Sequence, residues 1–168
     1  MTMRKQDGRN PARPGRGSGA TVILGVAASD SHAVANHLIA YGLRAEGYRV
    51  VNLGTCTPIS EFAQACQDNP HALAVVIGSL NGHVHEDLHD LAAAQEAGLI
   101  RCPVIVGGNL SVGSHKDGSA ESRLRELGVS HVLSGPQELT DVLADLAVAA
   151  ATDALGLVDL PMPALSAS

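Results

Sequence analysis

Tryptophan is absent from this 168-residue chain, phenylalanine occurs once and tyrosine twice. Proteins that grip single-stranded nucleic acid by stacking need aromatic platforms, so this scarcity speaks against that class. Charge speaks against it too. Five of the eleven basic residues (Arg4, Lys5, Arg9, Arg13, Arg16) crowd into the first 16 positions, beside the single acid Asp7. The remainder carries a net charge of −10, so no nucleic-acid partner is expected. No stretch reaches the roughly 18 consecutive apolar residues of a membrane-spanning helix, and no membrane association is expected. No apolar signal-peptide core follows the early basic residues either. Cys56, Cys66 and Cys102 are odd in number and lack CxxC spacing. They read as reduced thiols of a cytoplasmic protein.

What the chain does have is alanine, valine and leucine, which dominate a hydrophobic content of 45 %. That is enough for one packed domain. Residues 1–19 read as a disordered basic leader, because they lack the amphipathic face of a transit peptide. Residues 20–150 read as the domain, and residues 151–168 as a loose tail that could contact a partner.

Within the domain, short apolar runs alternate with amphipathic stretches five times. Strands are expected at 21–27, 48–53, 72–79, 103–107 and 131–133. Helices are expected at about 33–46, 58–68, 86–97, 119–127 and 136–150. Gly47, Gly98 and Gly128 fall just past three of them, where a left-handed residue ends a helix. Thr57-Pro58 reads as a cap followed by a first-turn proline. Buried strands separated by helices imply a parallel sheet covered on both faces. The fold expected is therefore α/β, a flavodoxin-like doubly wound five-stranded parallel sheet with helices on both faces.

Ligands of such sheets sit at the carboxyl ends of the strands. After the first strand comes Ser29-Asp30-Ser31-His32-Ala33, with Asp-x-His where a glycine-rich phosphate loop would otherwise stand. An imidazole there, with a carboxylate two residues earlier, suits axial coordination of a metal. The next three crests are Gly54 to Pro58, Gly78-Ser79-Leu80-Asn81-Gly82 and Gly107-Gly108-Asn109-Leu110-Ser111-Val112-Gly113. Small residues are ordinary turn formers. Three such crests beside one Asp-x-His nevertheless leave room for a groove that takes an extended ligand.

In order, SDSHAVAN, YRVVNLG, IGSLNG and VGGNLSVG resemble the cobalamin-binding domain of adenosylcobalamin-dependent mutases, over about residues 20–145. The likeness is to the small subunit of glutamate mutase (methylaspartate mutase) in particular. It implies that His32 is the lower axial ligand of cobalt and that Asp30 fixes its tautomer. Ser29, Ser31 and Ala33 belong to the same motif. The groove for the displaced nucleotide tail would be lined by Gly78, Ser79, Leu80, Gly107 and Gly108. Asn109, Leu110, Ser111, Val112 and Gly113 would lie near the tail's ribose and phosphate, where backbone amides suffice for an anion.

The resemblance also implies the cofactor, adenosylcobalamin, and the partner, a large catalytic mutase subunit. This chain would carry no catalytic residue and be inactive alone. It would serve an isomerase that rearranges glutamate to 3-methylaspartate by radical chemistry. Two positions depart from the family pattern. Ala35 replaces a glycine, a change of one methyl. Gly78 replaces the serine that contacts the free benzimidazole nitrogen. Ser79, one position on, points to the other face of a strand and cannot stand in for it.

Other signals carry less. His85-Glu86-Asp87-Leu88-His89 spells H-E-x-x-H, but zinc hydrolysis needs both histidines mid-helix on one face. Here the pattern opens a helix, so His83, His85 and His89 read as exposed rim residues. His37, His71, His115 and His131 read as surface or core histidines, and Cys56 as a passive crest residue. Alternatives to the mutase subunit are a corrinoid carrier for methyl transfer, a stand-alone cobalamin-binding regulatory module, and an FMN-binding flavodoxin. The first two need a helical bundle or an effector domain. The third places an acid where an anion must bind.

Overall fold

A computed structural model describes residues 19–109 and 119–155. The leader, the tail beyond residue 155 and the segment 110–118 lie outside the described residues. Five parallel strands form one sheet: β1 (Thr21–Ala27), β2 (Arg49–Thr57), β3 (Ala74–Ser79), β4 (Val104–Gly108) and β5 (His131–Leu133). Their spatial order is β2-β1-β3-β4-β5, the flavodoxin-like order, which changes winding direction between β1 and β3.

Each strand turns alternate side chains to opposite faces, and both faces are apolar, so both must be covered. One face (Ile23, Val75, Ile77, Val104, Val106) packs under α2 (Ile59–Asp68), α3 (Val84–Asp87), α4 (Leu91–Glu96) and α5 (Ser119–Glu126). The other face (Val22, Leu24, Val76, Ile105) packs under α1 (Ala33–Ala45) and α6 (Glu138–Ala154). The single phenylalanine, Phe62, is fully buried against β1. It fits because Gly25 has no side chain, as a Cβ there would sit 2.7 Å from the ring. Burying that ring contributes about 2–3 kcal/mol. Among the described residues, no helix is long and apolar enough to cross a membrane.

Three local expectations are corrected. The helix expected at 86–97 is two helices, α3 and α4, with a break at Leu88–Asp90. The His89 ring contacts the Glu86 carbonyl at 2.6 Å, occupying a group that a continuing helix would use. Strand β2 runs on to Thr57, four residues beyond its expected end, through register shifts opposite Gly25. Thr57 therefore is not the cap of α2. Pro58 takes that place, and its carbonyl accepts from the N–H groups of Glu61 and Phe62.

Candidate functional site

Strand β1 ends at Ala27, and the chain turns through an Asp30 N–H to Ala27 carbonyl bond of 2.9 Å before α1 begins. This turn carries Asp30 to the centre of the crest, where it is almost wholly buried, at 1 % exposure. One carboxylate oxygen accepts the His32 backbone N–H at 2.9 Å and faces His32 Nδ1 at 2.5 Å. The other accepts the Leu80 N–H, from the crest of β3, at 2.5 Å. The Asp30 carbonyl accepts the Cys56 N–H, from the crest of β2, at 3.0 Å. One residue thus ties together three strand ends.

Burial pushes the Asp30 carboxyl upward. The N–H groups of Leu80 and His32, together with the His32 ring, outweigh that and hold it below the ordinary aspartate value. A buried carboxylate that stays ionised is a fixed acceptor for an imidazole N–H. His32 is its complement, with a side chain more than half exposed. With Nδ1 held by Asp30, Nε2 is the nitrogen left to act as a donor to a metal.

Beside this pair lies a cavity of about 660 Å³ over the α1–α6 side of the sheet. Leu24, Val26 and Val76 belong to its floor, and Asn36 and Leu139 to its walls. The cavity also reaches His32, Gly78, Ser79, Leu80, Gly107, Gly108 and Asn109, bringing three of the four inspected crests together. Leu110, Ser111, Val112 and Gly113 lie outside the described residues. Ser29 supports the crest: its hydroxyl donates to Asp87 at 2.8 Å and accepts from Asn81 Nδ2 at 2.7 Å. Ser31 and Ala33 are exposed on the turn into α1.

Gly78 lies on the cavity side of β3. A Cβ placed on it would find its nearest neighbours at 3.9 Å, an ordinary van der Waals contact, so the strand has room for a side chain there. Ser79 is fully buried, on the side of β3 facing α2 to α5, and its hydroxyl contacts Asn81 Oδ1 at 3.3 Å. The alternation inferred for these two residues therefore holds. Gly108 is different, with a φ of +128° and Ser79's carbonyl oxygen 2.0 Å from where its Cβ would be.

Two parts of the site went unassigned in the sequence. Asn36 is 2 % exposed and lines the cavity. Asn52 Oδ1 accepts the Gly54 N–H at 2.9 Å and the Asn36 Nδ2 at 2.8 Å. Gly54 fixes which way Asn52 faces, and Asn52 in turn fixes Asn36, leaving Asn36 Oδ1 buried with no donor. The second part is the β5–α6 turn, Ser134, Gly135 and Pro136, which closes one end of the cavity. It is the fifth strand end, and the crest rule that singled out the other four applies to it equally.

Of the histidines of H-E-x-x-H, His85 lies in α3 and His89 in the break between α3 and α4. His83 and His89 are exposed, as expected, but His85 is half-buried. His89 Nε2 pairs with its neighbour Asp90 at 3.1 Å. His37 and His71 are exposed and His131 is half-buried; His115 lies outside the described residues. Cys56 is exposed, and its thiol contacts the Asp30 carbonyl at 3.6 Å.

Residues 20–144 match the B12 binding domain. The chain belongs to this family. It is 43 % identical over 117 residues to the glutamate mutase sigma subunit of Halobacterium salinarum, covering 68 % of this chain and 76 % of that one. Against the sigma subunit of Treponema denticola it is 32 % identical, covering 74 % and 90 % of the two chains. Among solved structures, it resembles the Methanosarcina barkeri monomethylamine corrinoid protein with a TM-score of 0.64 at 17 % identity. A cobalamin-binding protein from Desulfitobacterium hafniense gives 0.62 at 16 %. These matches cover 78 % and 76 % of this chain but only 59 % and 58 % of the others, and at that identity they speak for the fold alone. The family's group is cobalamin, and the cavity and the Asp30–His32 pair are the features to be fitted to it.

Proposed function

We propose that this chain is the adenosylcobalamin-binding subunit of a glutamate mutase, with residues 20–150 as its cobalamin-binding domain. It works with a separate catalytic subunit and has no catalytic residue of its own. The observation that carries the reading is the buried, ionised Asp30 holding the ring of an exposed histidine beside a cavity of nucleotide size. His32 is the axial cobalt ligand through Nε2, and Asp30 fixes the tautomer that makes this possible. When bound, adenosylcobalamin supplies a cobalt–carbon bond whose homolysis starts the rearrangement of glutamate to 3-methylaspartate. The chain binds the cofactor, orients it and keeps water from its tail. Sigma-subunit relatives at 32–43 % identity favour this over a methyl-carrying corrinoid protein.

The cavity's chemistry suits a nucleotide tail. Its floor is aliphatic, and Asn36 Oδ1 is an acceptor awaiting a donor such as a ribose hydroxyl. The remaining tail-groove positions are Gly78, Ser79, Leu80, Gly107, Gly108 and Asn109, continuing through Leu110, Ser111, Val112 and Gly113. Ser29, Ser31 and Ala33 shape the ligand turn.

The test is spectroscopic. Cobalamin reduced to cobalt(II) and bound to the wild-type chain should show nitrogen superhyperfine coupling from a protein imidazole. In His32→Ala that coupling should vanish and affinity should fall about 10–100-fold. A wild-type chain that binds no corrinoid, even beside its catalytic partner, would sink the reading. Asn36→Ala tests the tail separately. Losing one buried hydrogen bond should weaken cobalamin about 5–10-fold, while cobinamide, which lacks the nucleotide, should bind as it does to wild type. Equal weakening of both ligands would remove Asn36 from the tail site.

A further inference from the structure

At the far end of the sheet from the crest, Cys66 closes the last turns of α2 and Cys102 leads into β4. Cys102 packs against the hydrophobic cluster that contains Cys66. Cys66 is 7 % exposed and embedded in the core, whereas Cys102 is half-buried at its edge. A cleft of about 230 Å³ is lined by both, with Asn69, Pro70 and Arg101 among its other walls. Neither cysteine takes part in the proposed cobalamin site.

We propose that Cys66 and Cys102 form a peroxide-responsive dithiol, a modification site that closes into a disulfide. The geometry divides the two roles. Cys102 is reached from the cleft, and the neighbouring Cys66 thiol favours its thiolate form. Its pKa lies below that of an ordinary cysteine, although burial opposes the shift. Cys66, beside Cys102 and buried, is held above it. Cys102 is therefore the attacking sulfur and Cys66 the resolving one.

In the first step the Cys102 thiolate attacks a hydroperoxide. An S–O bond forms, the O–O bond breaks, and hydroxide leaves, giving a sulfenic acid. Cys66 then loses its proton and attacks the Cys102 sulfur. The S–S bond forms, the S–O bond breaks, and the departing hydroxide takes up the proton as water. Two thiols lose two electrons, and one hydrogen peroxide becomes two waters. The product links α2 to the start of β4.

The test uses the full-length Cys56→Ser chain, so that the exposed crest thiol is silent, with hydrogen peroxide as the probe. Peptide mapping without reductant should find Cys66 and Cys102 joined, with the loss of two hydrogen atoms, and dithiothreitol should reverse it. Adding Cys66→Ser should leave Cys102 as a sulfenic acid that dimedone traps. The converse Cys102→Ser chain should label at Cys66 at least about tenfold more slowly, because Cys66 is buried in the core. Two results would overturn the proposal: no Cys66–Cys102 link in peroxide-treated Cys56→Ser chain, or Cys66 labelling as fast as Cys102. Circular dichroism of each variant distinguishes lost reactivity from lost fold.

Discussion

Gly108→Ala is expected to cost about 3 kcal/mol or more of folding stability, in contrast to Gly78→Ala on the neighbouring strand β3, which should change it by less than about 0.5 kcal/mol. Gly108 ends β4 directly opposite Ser79 of β3. Its φ of +128° belongs to a region that only glycine occupies readily. A Cβ there would stand 2.0 Å from the Ser79 carbonyl oxygen and 2.9 Å from its carbonyl carbon. Both are backbone atoms, so no rotamer change relieves the clash, and the last rung between β3 and β4 must open. That rung also holds Leu80, whose N–H binds Asp30. The disturbance therefore passes from the sheet edge to the proposed ligand pair. Urea unfolding of the two alanine variants measures the contrast. If Gly108→Ala unfolds with the wild-type midpoint, the close approach of these strands does not matter to the fold. Gly78→Ser extends the comparison, since its Cβ has room and its hydroxyl would face the cavity.

What could be read from the sequence were features set by neighbours in the chain. The apolar runs at 21–27 and 131–133 are β1 and β5 to the residue; β1, buried on both faces, needs only its own side chains to declare itself. Asp30 and His32 were legible for the same reason: two residues apart, they meet whatever lies around them. The left-handed glycines Gly47, Gly98 and Gly128 end their helices where expected. The features that escaped depend on distant partners. Strand β2 runs past its expected end because Cys56, at a φ of +54°, is held by the carbonyl of Asp30. Asn36 could not be told from a surface asparagine until Asn52, 16 residues on, was seen to fix its amide. The break between α3 and α4 goes with the His89 ring taking up the Glu86 carbonyl, a contact that periodicity does not reveal. Period and spacing mark elements and local motifs, but a cavity is made by strands far apart in sequence.

Asp30→Ala should be the most damaging single change at the crest, at about 3–5 kcal/mol. Removing the carboxylate leaves the N–H groups of His32 and Leu80 without their acceptor, and a donor left unpaired costs up to about 1–3 kcal/mol. The same change frees the His32 ring to turn away, so cobalamin affinity should fall at least as far as in His32→Ala. Those two effects are inseparable in the alanine variant. Asp30→Asn separates them. It preserves the volume and one acceptor oxygen, so that either the Leu80 or the His32 N–H stays satisfied and much of the stability returns. It lacks the negative charge that stabilises a ring N–H pointing inward, and its NH₂ group competes for the position facing Nδ1. Stability should therefore recover further than ligation. The cobalt(II) spectrum should show a weakened imidazole coupling, and affinity should be about 10–100-fold below wild type. Urea midpoints and cobalamin titrations on the same preparations give both quantities. If Asp30→Asn binds cobalamin as tightly as the wild-type chain, with full nitrogen coupling, then the carboxylate only holds the crest together and does not tune the ligand.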